Sequence, residues 1–517
     1  MKFEADLVVF NGNIITMDPQ KPVATAIAVK SYKILAVGND EDAMALIPSA
    51  KRVIDLAGKT VVPGFVDAHT HLTISGIKTA HVQLDKVRSI KGVQKELKKA
   101  LGRYSKDQWV LGFSWDESNW KVKRYVTGKD LDEVSTEHKI GVFRVDSHLV
   151  SVNSRGLQEL NVDLDQKGVE KDKNGKPTGV LKDIKELNDC FQPSPQEIHQ
   201  GIIAGNQMAN ELGITAAVDN IRAGHARYIR EAERLNVLTV RMVINVPSEQ
   251  IDHMIGLGLT SGMGSPLVRI GGVKSFIDGS IGASTAATSK PYADSKYNKG
   301  MLLMPQHAFS SLARKAVEND IQTVTHAIGD EAIELVLSAF ETLGNMTTIR
   351  RQRHRIEHVE MITPDQIRRA AALGLILSMQ PNFVGEWQMK GGLYHDRLGK
   401  DRTERMNLFR TALDNGARIC FGSDGMPYGP LYGIWCAVNH PSPQGRITVE
   451  EAIRCYTMES AYASFMENNV GSITEGKRAD FVVLSDNILE APPNSIRDIK
   501  IEWTIVGGQV EYSSVSS

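Results

Sequence analysis

The sequence predicts an α/β protein built around a (β/α)₈ TIM barrel, with a β-sandwich made from both chain termini and an insertion after the first barrel strand. Through the middle of the chain, apolar strands alternate with amphipathic helices, which is typical of parallel strands covered by helices. There are eight strand candidates, the number in a TIM barrel. They lie at residues 60–69, 214–219, 239–246, 267–279, 321–329, 353–360, 375–381 and 418–424. A doubly wound parallel sheet is the structural alternative.

The two ends of the chain have a different residue pattern. Residues 1–57 contain short β-rich runs separated by turns, and Asn11-Gly12 is a hairpin-type turn. Residues 471–517 show the same pattern of short β-rich runs, so the simplest packing combines both ends into one composite β-sandwich. The barrel domain is then expected to span residues 58–470.

One connection in the barrel region is unusually long. About 140 residues separate the first strand candidate from the second, far more than a strand-to-helix unit needs. We therefore predict that residues 73–193 form an insertion that acts as a cap or lid over the barrel mouth.

The composition excludes several classes of partner. Lys and Arg number 60 and Asp and Glu 61, giving a net charge of −1 and no basic field to attract nucleic acid or anionic lipid. No run is long enough for a membrane span, and Glu4 and Asp6 lie where a signal peptide needs apolar residues. The four cysteines lack C-x-x-C spacing, as in a reduced protein. We expect a cytoplasmic protein without nucleic-acid or membrane partners, of a size compatible with a homodimer.

Two histidines at the end of the first strand candidate suggest a metal site. In "PGFVDAHTH", His69 and His71 point the same way, about 6.5 Å apart along the backbone, so both rings can converge on one cation. The pair alone is weak evidence, because most such pairs are surface or core residues. However, His326, His358 and Asp424 fall near the ends of the fifth, sixth and eighth strands, where a barrel gathers its catalytic groups.

Lys274, in "IGGVKSFIDG" on the fourth strand, has two interpretations. A lysine in an apolar strand is costly to bury charged, so it would face solvent or pair with an acid such as Asp278. Alternatively, burial beside cations favours the neutral amine, which can take up CO₂ as a carbamate and supply a carboxylate between two metals. Spacing alone favours the first interpretation.

Seven segments carry a resemblance that spans nearly the whole chain: "PGFVDAHTH", "VKSFIDGSIGASTA", "THAIGDEA", "RIEHVE", "SMQP", "FGSDGMP" and "GSITEGKRADFVVL". Together they are similar to the metal-dependent amidohydrolase superfamily, particularly its third amidohydrolase family, which includes N-substituted formamide deformylases. In that superfamily two metals, commonly zinc, are bridged by a lysine carboxylated on its side chain. The resemblance implies that the ligands are His69, His71, carboxylated Lys274, His326, His358 and Asp424.

These ligands define a mechanism. Two divalent ions roughly 3.5 to 4 Å apart can share a hydroxide near neutral pH, because coordination lowers the pKa of water to about 7. The hydroxide attacks a polarised C=O, and Asp424 takes the proton and passes it to the leaving nitrogen. We therefore expect a hydrolase that cleaves a C–N bond of an amide, either a linear N-acyl or N-formyl compound or a cyclic amide. The alternative role of Asp424 is to cap the helix that follows.

Three further side chains are candidates for substrate binding. His148, in "RVDSHLVSVNS", resembles a family motif and could donate to the substrate carbonyl or the developing oxyanion; a structural histidine is the alternative. Trp115, in the insertion, could line the pocket, although aromatic residues in such a segment are more often core. Gln380 closes the seventh strand at the correct end to touch substrate.

Two other functions are weighed against amide hydrolysis. One alternative is a one-metal deaminase of a heterocycle. Deaminases of the cytosine type in that superfamily carry a glutamate three residues after the fifth-strand histidine, where this chain has Gly329, and a one-metal site would leave Lys274 without a task. A non-catalytic regulatory protein could keep the barrel, because fold alone does not establish function. Such a protein should have lost at least one metal ligand, whereas every metal-ligand position here holds a residue that can bind a metal.

Overall fold

The computed structural model describes residues 4–184, 192–425 and 428–514. Its central sheet has eight parallel strands whose neighbours follow chain order. Thr70, at the end of the first strand, forms a parallel bridge with Asp424, just beyond the eighth, so the sheet closes. The predicted barrel is confirmed, and the doubly wound alternative, in which strand order reverses, is wrong. The first to eighth barrel strands are Phe65–Thr70, Ile214–Asn220, Arg241–Pro247, Val268–Phe276, Gln322–Ala327, Arg355–His358, Ile376–Met379 and Arg418–Phe421.

Helices follow the barrel strands, and their caps explain where they begin. Ser194 and Thr363 each form a capping box with the residue three positions later. Gly374, at φ 75°, ends the second of these helices in the left-handed conformation that favours glycine. No helix in the described part of the chain is both long and apolar enough to cross a bilayer. The helices of the barrel region are Leu72–Lys78, Pro195–Glu211, Ala226–Arg234, Ile251–Gly256, Gln306–Glu318, Asp330–Leu343, Met346–Gln352, Pro364–Leu373, Pro381–Phe383, Leu393–Leu398, Lys400–Thr403, Phe409–Asp414, Pro430–Val438, Val449–Cys455 and Met458–Ala463.

The strand predicted at residues 60–69 is in fact two strands. Thr60–Pro63 pairs with strands of the terminal sandwich, and only Phe65–Thr70 enters the barrel. Gly64 separates them at a close approach, because a Cβ atom there would lie 2.2 Å from Oγ1 of Thr215. One continuous apolar run therefore serves two sheets, and periodicity cannot reveal the division.

Both ends of the chain build the predicted sandwich. One sheet has four strands, in the order Lys33–Gly38, Ala26–Lys30, Leu7–Phe10 and Arg52–Asp55, with the helix Asp40–Met44 beside it. The other has six strands, in the order Gln509–Ser513, Ile501–Val506, Phe481–Leu484, Thr60–Pro63, Asn13–Ile15 and Val23–Ala24. Apolar side chains from both sheets, including Val9, Ile27 and Phe481, form one buried cluster. The second sheet interleaves N-terminal and C-terminal strands, so neither end can complete it alone.

The insertion after the first barrel strand contains a six-stranded mixed sheet. Its strands, in order, are Val169–Lys171, Pro177–Lys182, Leu149–Val152, Lys139–Arg144, Trp109–Trp115 and Val82–Gln83, and its helices are Ile90–Ala100, Gly128–Asp132 and Ser154–Leu160. One face buries a cluster that includes Trp115. The other packs Phe113 and Phe143 against Ile77 of a barrel helix. The segment 144–148 then reaches the mouth of the barrel.

Candidate metal centre

The six predicted ligands all lie at the edge of the barrel where the strands end. They are His69 and His71 at the end of the first strand, Lys274 on the fourth, His326 on the fifth, His358 on the sixth and Asp424 after the eighth. One donor atom from each of His69, His71 and Asp424 lies within 4.8 Å of the other two. Oδ1 of Asp424 is 3.1 Å from Nε2 of His71 and 3.6 Å from Nε2 of His69. These three donors can hold a divalent cation.

The other three side chains adjoin this group. The ring centroids of His69 and His358 are 4.8 Å apart, and those of His358 and His326 are 4.5 Å apart. Nζ of Lys274 lies 3.5 Å from Nε2 of His69. All of these side chains are buried. The structure therefore brings the six predicted residues into one cluster, hereafter the ligand cluster.

Each buried histidine of the ligand cluster has one ring nitrogen hydrogen-bonded to an oxygen of the protein. The bonds join His69 Nδ1 to the Glu357 carboxylate, His358 Nδ1 to Oε1 of Gln380 (2.7 Å) and His326 Nε2 to the carbonyl of Gly279 (3.0 Å). A metal-ligating histidine almost always donates its other N–H in this way, which fixes the tautomer and the ring orientation. The nitrogen left over in His69 is Nε2, the atom nearest Lys274 and Asp424. The donor set and its orientation fit a resident divalent metal.

Burial governs the protonation of the ligand cluster. It lowers the pKa of His69 to about 4 and holds the pKa values of His326 and His358 well below the usual value. Burial disfavours the charged form of Asp424, but the hydrogen bond from His71 and the nearby histidines outweigh it, so the pKa of Asp424 lies well below its usual range. At neutral pH the three buried histidines His69, His326 and His358 are therefore neutral imidazoles and Asp424 is a carboxylate, the forms that bind metals.

Lys274 is not paired with Asp278. Lys274 is 5% exposed, and burial lowers the pKa of its amine to about 8. The carboxylate of Asp278 instead accepts the backbone N–H groups of Ala287, Ile328 and Gly329 at 2.8 to 3.0 Å. Both forms of the interpretation favoured from spacing are therefore wrong, because Lys274 is buried and the Asp278 carboxyl group is bound by the backbone of neighbouring loops instead.

Two residues of the ligand cluster occupy unusual backbone positions. His358 has φ 72° and Asp424 has φ 57°, and Val359 follows at φ 44°. The left-handed region is uncommon for residues other than glycine and is especially unfavourable for a β-branched one. Such positions cost of the order of 1–3 kcal/mol each and concentrate at active sites. Their location here supports a functional reason for the strain.

A small cavity adjoins the ligand cluster. His326, His358 and Asp424 form part of its wall, and His148 joins them from the insertion. Nδ1 of His148 bonds the Asp183 carboxylate. Burial alone would lower the pKa of His148, but the charge and hydrogen bond of Asp183 raise it to about 9. The structure thus places a positively charged donor on the cavity wall.

Trp115 and Gln380 do not line this cavity, contrary to prediction. Trp115 is fully buried in the insertion, and its Nε1 donates to the carbonyl of Val142 at 3.2 Å. An irregularity in strand pairing at Ser114, which has φ 72°, breaks the alternation and turns Trp115 into that core. Gln380 is buried behind His358 and orients its ring.

Sequence reasoning missed three charged residues near the site. Glu357 is fully buried and joins His69 to Arg355. Glu360 lies on the cavity wall, and burial raises its pKa to about 8. Arg144 lies on the same wall and is fully buried among carboxylates. For Glu357, the segment "RIEH" could have indicated the pairing, because an arginine and a glutamate inside an apolar barrel strand must pair to be buried.

Known proteins resemble the chain along its length. The family profile described as "Amidohydrolase family" matches residues 52–512. YtcJ of Bacillus subtilis (strain 168), which carries the name of an amidohydrolase, is 30% identical; the match covers 97% of this chain and 98% of YtcJ. An N-substituted formamide deformylase of Arthrobacter pascens is 26% identical, with 99% of each chain covered. Protein LONG AFTER FAR-RED 3 of Arabidopsis thaliana is 28% identical, covering 98% of this chain and 92% of that protein.

Solved structures share the architecture. An uncharacterised metal-dependent hydrolase from Pyrococcus horikoshii OT3 aligns with a TM-score of 0.76 and 26% identity, covering 94% of this chain and 99% of that one. The atrazine chlorohydrolase TrzN from Arthrobacter aurescens TC1, complexed with zinc, aligns with a TM-score of 0.54 over 99% and 97% of the two chains. At 15% identity, that second likeness shows the fold alone.

Proposed function

Because this chain belongs to the amidohydrolase family, we propose that it is a hydrolase that cleaves the carbon–nitrogen bond of a small-molecule amide at the ligand cluster. The observation that carries the proposal is the completeness of that cluster. Six competent side chains converge, and the buried histidines each have one ring nitrogen fixed by the protein. A regulatory protein on the same scaffold would have no need to keep these contacts.

We propose two zinc ions as the resident metals, with carboxylated Lys274 as the bridging ligand. His69, His71, His326, His358 and Asp424 would supply the other donors. Imidazole-rich sites suit zinc. The lowered pKa of Lys274 supports carboxylation, because only the neutral amine reacts with CO₂. When bound, such metals lower the pKa of water and polarise a carbonyl group.

The protein's own groups have separate tasks in this reaction. The Asp424 carboxylate accepts the proton of the attacking water and delivers it to the leaving nitrogen. The His148 imidazolium donates a hydrogen bond to the substrate oxygen as negative charge develops there. Phe383 and Trp387, which are nearly fully buried on the cavity wall, pack against the apolar part of the substrate and exclude water.

Linear N-formyl or N-acyl amides are the substrates that we favour, with cyclic amides second. The full-length match to a formamide deformylase supports the first class. The cavity beside the ligand cluster combines aromatic and charged side chains, as sites for small molecules do. Heterocycle deamination has less support, because Gly329 offers no side chain for proton transfer and its N–H is bound to Asp278.

We also propose that the protein works in the cytoplasm on a small molecule rather than on nucleic acid or a membrane. Three cysteines, Cys420, Cys436 and Cys455, are free and buried, which supports a reducing compartment; Cys190 lies outside the described residues. The net charge of −1 offers no attraction for polyanions. The homodimer stays a prediction.

A panel of N-formyl, N-acyl and cyclic amides, assayed with zinc-reconstituted protein, tests the function. We expect amine release from at least one compound by the wild type and release slowed by about 10²–10⁴ with Asp424→Asn. Asp252→Asn, which alters an exposed ion pair with Lys315, is the matched control and should retain full activity. Protein without stoichiometric transition metal, whose turnover ignores chelators, would contradict the proposal.

A further inference from the structure

Three basic side chains meet where the sandwich joins the barrel, on the side of the barrel where its strands begin. Lys33 and Arg478 come from the sandwich, and Arg269 lies near the start of the fourth barrel strand. Lys33 is exposed, whereas the two arginines are half-buried. These three residues are hereafter the basic junction. They belong neither to the ligand cluster nor to the cavity beside it.

Backbone pairing places two of these charges side by side. Lys33 and Arg478 are partners in an isolated antiparallel bridge. Residues paired in this way project their side chains from the same face, with Cβ atoms about 5 Å apart. Like charges directly opposite one another are destabilising, so this pair is unfavourable without a counter-charge.

Arg269 approaches the same region from the barrel. Its Nη1 donates to the carbonyl of Phe465 at 2.9 Å. The loop that begins at Phe465 also contacts Arg478, whose backbone N–H donates to the carbonyl of Asn469 at 2.7 Å. Burial, together with the charges of Arg241 and Arg478, lowers the pKa of Arg269. The guanidinium groups are thus close enough to repel one another.

The carboxylates around the basic junction already have partners. Asp480 accepts from Nε and Nη2 of Arg241 at 2.6 and 2.8 Å. Glu467 accepts from Nη2 and Nη1 of Arg353 at 2.6 and 3.0 Å. Arg269 is hydrogen-bonded to backbone carbonyls rather than to either acid. The basic junction therefore carries a surplus of positive charge.

Arg478 shows this surplus most directly. Its Nε is buried and has no hydrogen-bond partner among the residues that the structure describes. In the same part of the chain, no carboxylate lies within ion-pair distance of its guanidinium group, since the two nearest acids are held by other arginines. A buried cationic donor without an acceptor is unfavourable and requires an explanation.

We propose that the basic junction binds a phosphate group, either free phosphate or a small phosphate ester. Nε of Arg478 would donate to one phosphate oxygen, Arg269 would add a second guanidinium, and Lys33 would close the site from the solvent side. Guanidinium groups match the geometry of phosphate. A monocarboxylate would neutralise only one of the three cations, whereas phosphate carries close to two negative charges at neutral pH.

This site is independent of the proposed amide hydrolysis. Phosphate bound there would contact the sandwich through Lys33 and Arg478 and the barrel through Arg269. It would relieve the repulsion between the first two residues and link the two units. We therefore expect the anion to stabilise the folded chain, because a ligand that binds only the folded state does so.

Thermal unfolding tests the site. The wild type, Arg478→Gln, Arg269→Gln and Lys33→Gln would be melted in a chloride buffer and in buffers of equal ionic strength in which inorganic phosphate or glycerol phosphate replaces chloride. Arg314→Gln, which removes an exposed arginine from the helix Gln306–Glu318, is the matched control. We expect at least one of the two phosphates to give a saturable rise in melting temperature in the wild type and in Arg314→Gln.

The variants separate anion binding from a structural role. In chloride, Arg478→Gln should melt no lower than the wild type, because it removes the repulsion with Lys33; in saturating phosphate, the wild type should be the more stable. The dissociation constant for phosphate should rise by about tenfold or more in Arg478→Gln and in Arg269→Gln, since each loses charge-assisted hydrogen bonds. Lys33→Gln should weaken binding less, and its exposed position keeps the test valid if an arginine variant does not fold.

Two results would overturn the inference. One is the absence of a saturable shift with both phosphates in the wild type. The other is a shift that persists unchanged in Arg478→Gln, Arg269→Gln and Lys33→Gln, because the anion would then bind elsewhere, for example at the ligand cluster. If the shift depends on the basic junction, the compound that binds more tightly identifies whether the site takes free phosphate or an ester.

Discussion

The ring of His69 is fixed by a chain of buried charges. The Glu357 carboxylate that bonds its Nδ1 also accepts from Nε and Nη2 of Arg355, at 2.8 and 2.9 Å. Arg355 donates further to the carbonyl of Ala68 at 2.6 Å and to Ser378 at 3.0 Å. Removing one member of a buried ion pair costs about 3–5 kcal/mol. The orientation of His69 is therefore strongly enforced before any metal binds.

Asp424→Asn tests proton transfer at the level of one residue. The amide keeps the size of the side chain but cannot accept the proton, so kcat should fall by about 10²–10⁴ on the best substrate of the amide panel. Circular dichroism should remain that of the wild type. Metal content measured on the same samples separates loss of a base from loss of a ligand. A kcat near the wild-type value would contradict the acid/base role.

Lys274→Ala tests the bridging carboxylate. Activity should be lost, and formate or acetate with bicarbonate should restore part of it by supplying the missing carboxylate. Lys78→Ala is the matched control, because burial lowers the pKa of Lys78 to about 8 as well, yet it is not among the proposed ligands. Labelled bicarbonate should give a carbamate signal in the wild type and in Lys78→Ala but not in Lys274→Ala. Indifference to acids and absence of that signal would mean that Lys274 stays a free amine.

The sequence could indicate the ligands but not their supporting partners. Strand alternation and the convergence of strand ends were enough to bring His69, His326 and Asp424 together. The same alternation puts Glu357 and His358 on opposite faces, yet both contribute to the site. The reason is the positive φ of His358 and Val359, which breaks the alternation and is invisible in the residue types. The direction of these side chains is therefore set by backbone strain in the folded structure rather than by local propensity.

At the level of elements, a buried ion pair joins the barrel to the sandwich. Arg241, which opens the third barrel strand, donates to Asp480 through Nε at 2.6 Å and through Nη2 at 2.8 Å. Asp480 precedes the strand Phe481–Leu484 and also accepts the N–H of Gly507 at 2.8 Å. Both side chains of the pair are nearly inaccessible, at 6% and 2% exposure. The pair is thus a specific contact between the two units.

Asp480→Asn should destabilise the protein, because it leaves the Arg241 guanidinium buried without its counter-charge. We expect the free energy of unfolding, measured by urea denaturation, to fall by about 3–5 kcal/mol. The exposed pair of Lys315 and Asp252 provides the comparison, since Asp252→Asn should cost less than about 1 kcal/mol. Equal effects of the two substitutions would show that the buried pair contributes no more than a surface one.

Element boundaries were predictable where local signals agreed with the tertiary structure. Thr363 followed by Pro364 is a sequence signal for the start of a helix, and the helix begins at Pro364. The division at Gly64 was not predictable, because the apolar run on either side of it is uniform. The bulge at Ser114 was equally hidden, since a serine gives no sign that it will adopt φ 72°. In both cases the partner strands, rather than the segment itself, set the outcome.

For the whole molecule, metal and stability should be linked. Dialysis against dipicolinate should abolish turnover and lower the melting temperature, because a ligand that binds only the folded state stabilises it. Zn²⁺ should restore both, whereas Mg²⁺, which prefers oxygen ligands, should not. The metal-to-protein ratio after reconstitution would show whether the centre holds one ion or two. Unchanged melting and turnover after dialysis would contradict a metal centre.

The global architecture was predictable because it depends on repetition. A pattern of eight alternating strands and helices still predicts a barrel when one strand boundary is wrong. The similar short strands at the two chain ends suffice to predict a shared sandwich. The cavity has no such redundancy, since its wall combines residues from the insertion and from loops after several strands. Sequence spacing carries no information on such distant contacts.

The interleaved sheet of the sandwich has a consequence during biosynthesis. Thr60–Pro63 pairs on one side with Asn13–Ile15 and on the other with Phe481–Leu484. A nascent chain therefore exposes an unpaired strand edge from early synthesis until Phe481–Leu484 leaves the ribosome. An open edge of this kind invites misassembly, so ribosome-bound intermediates should depend on holding chaperones throughout barrel translation.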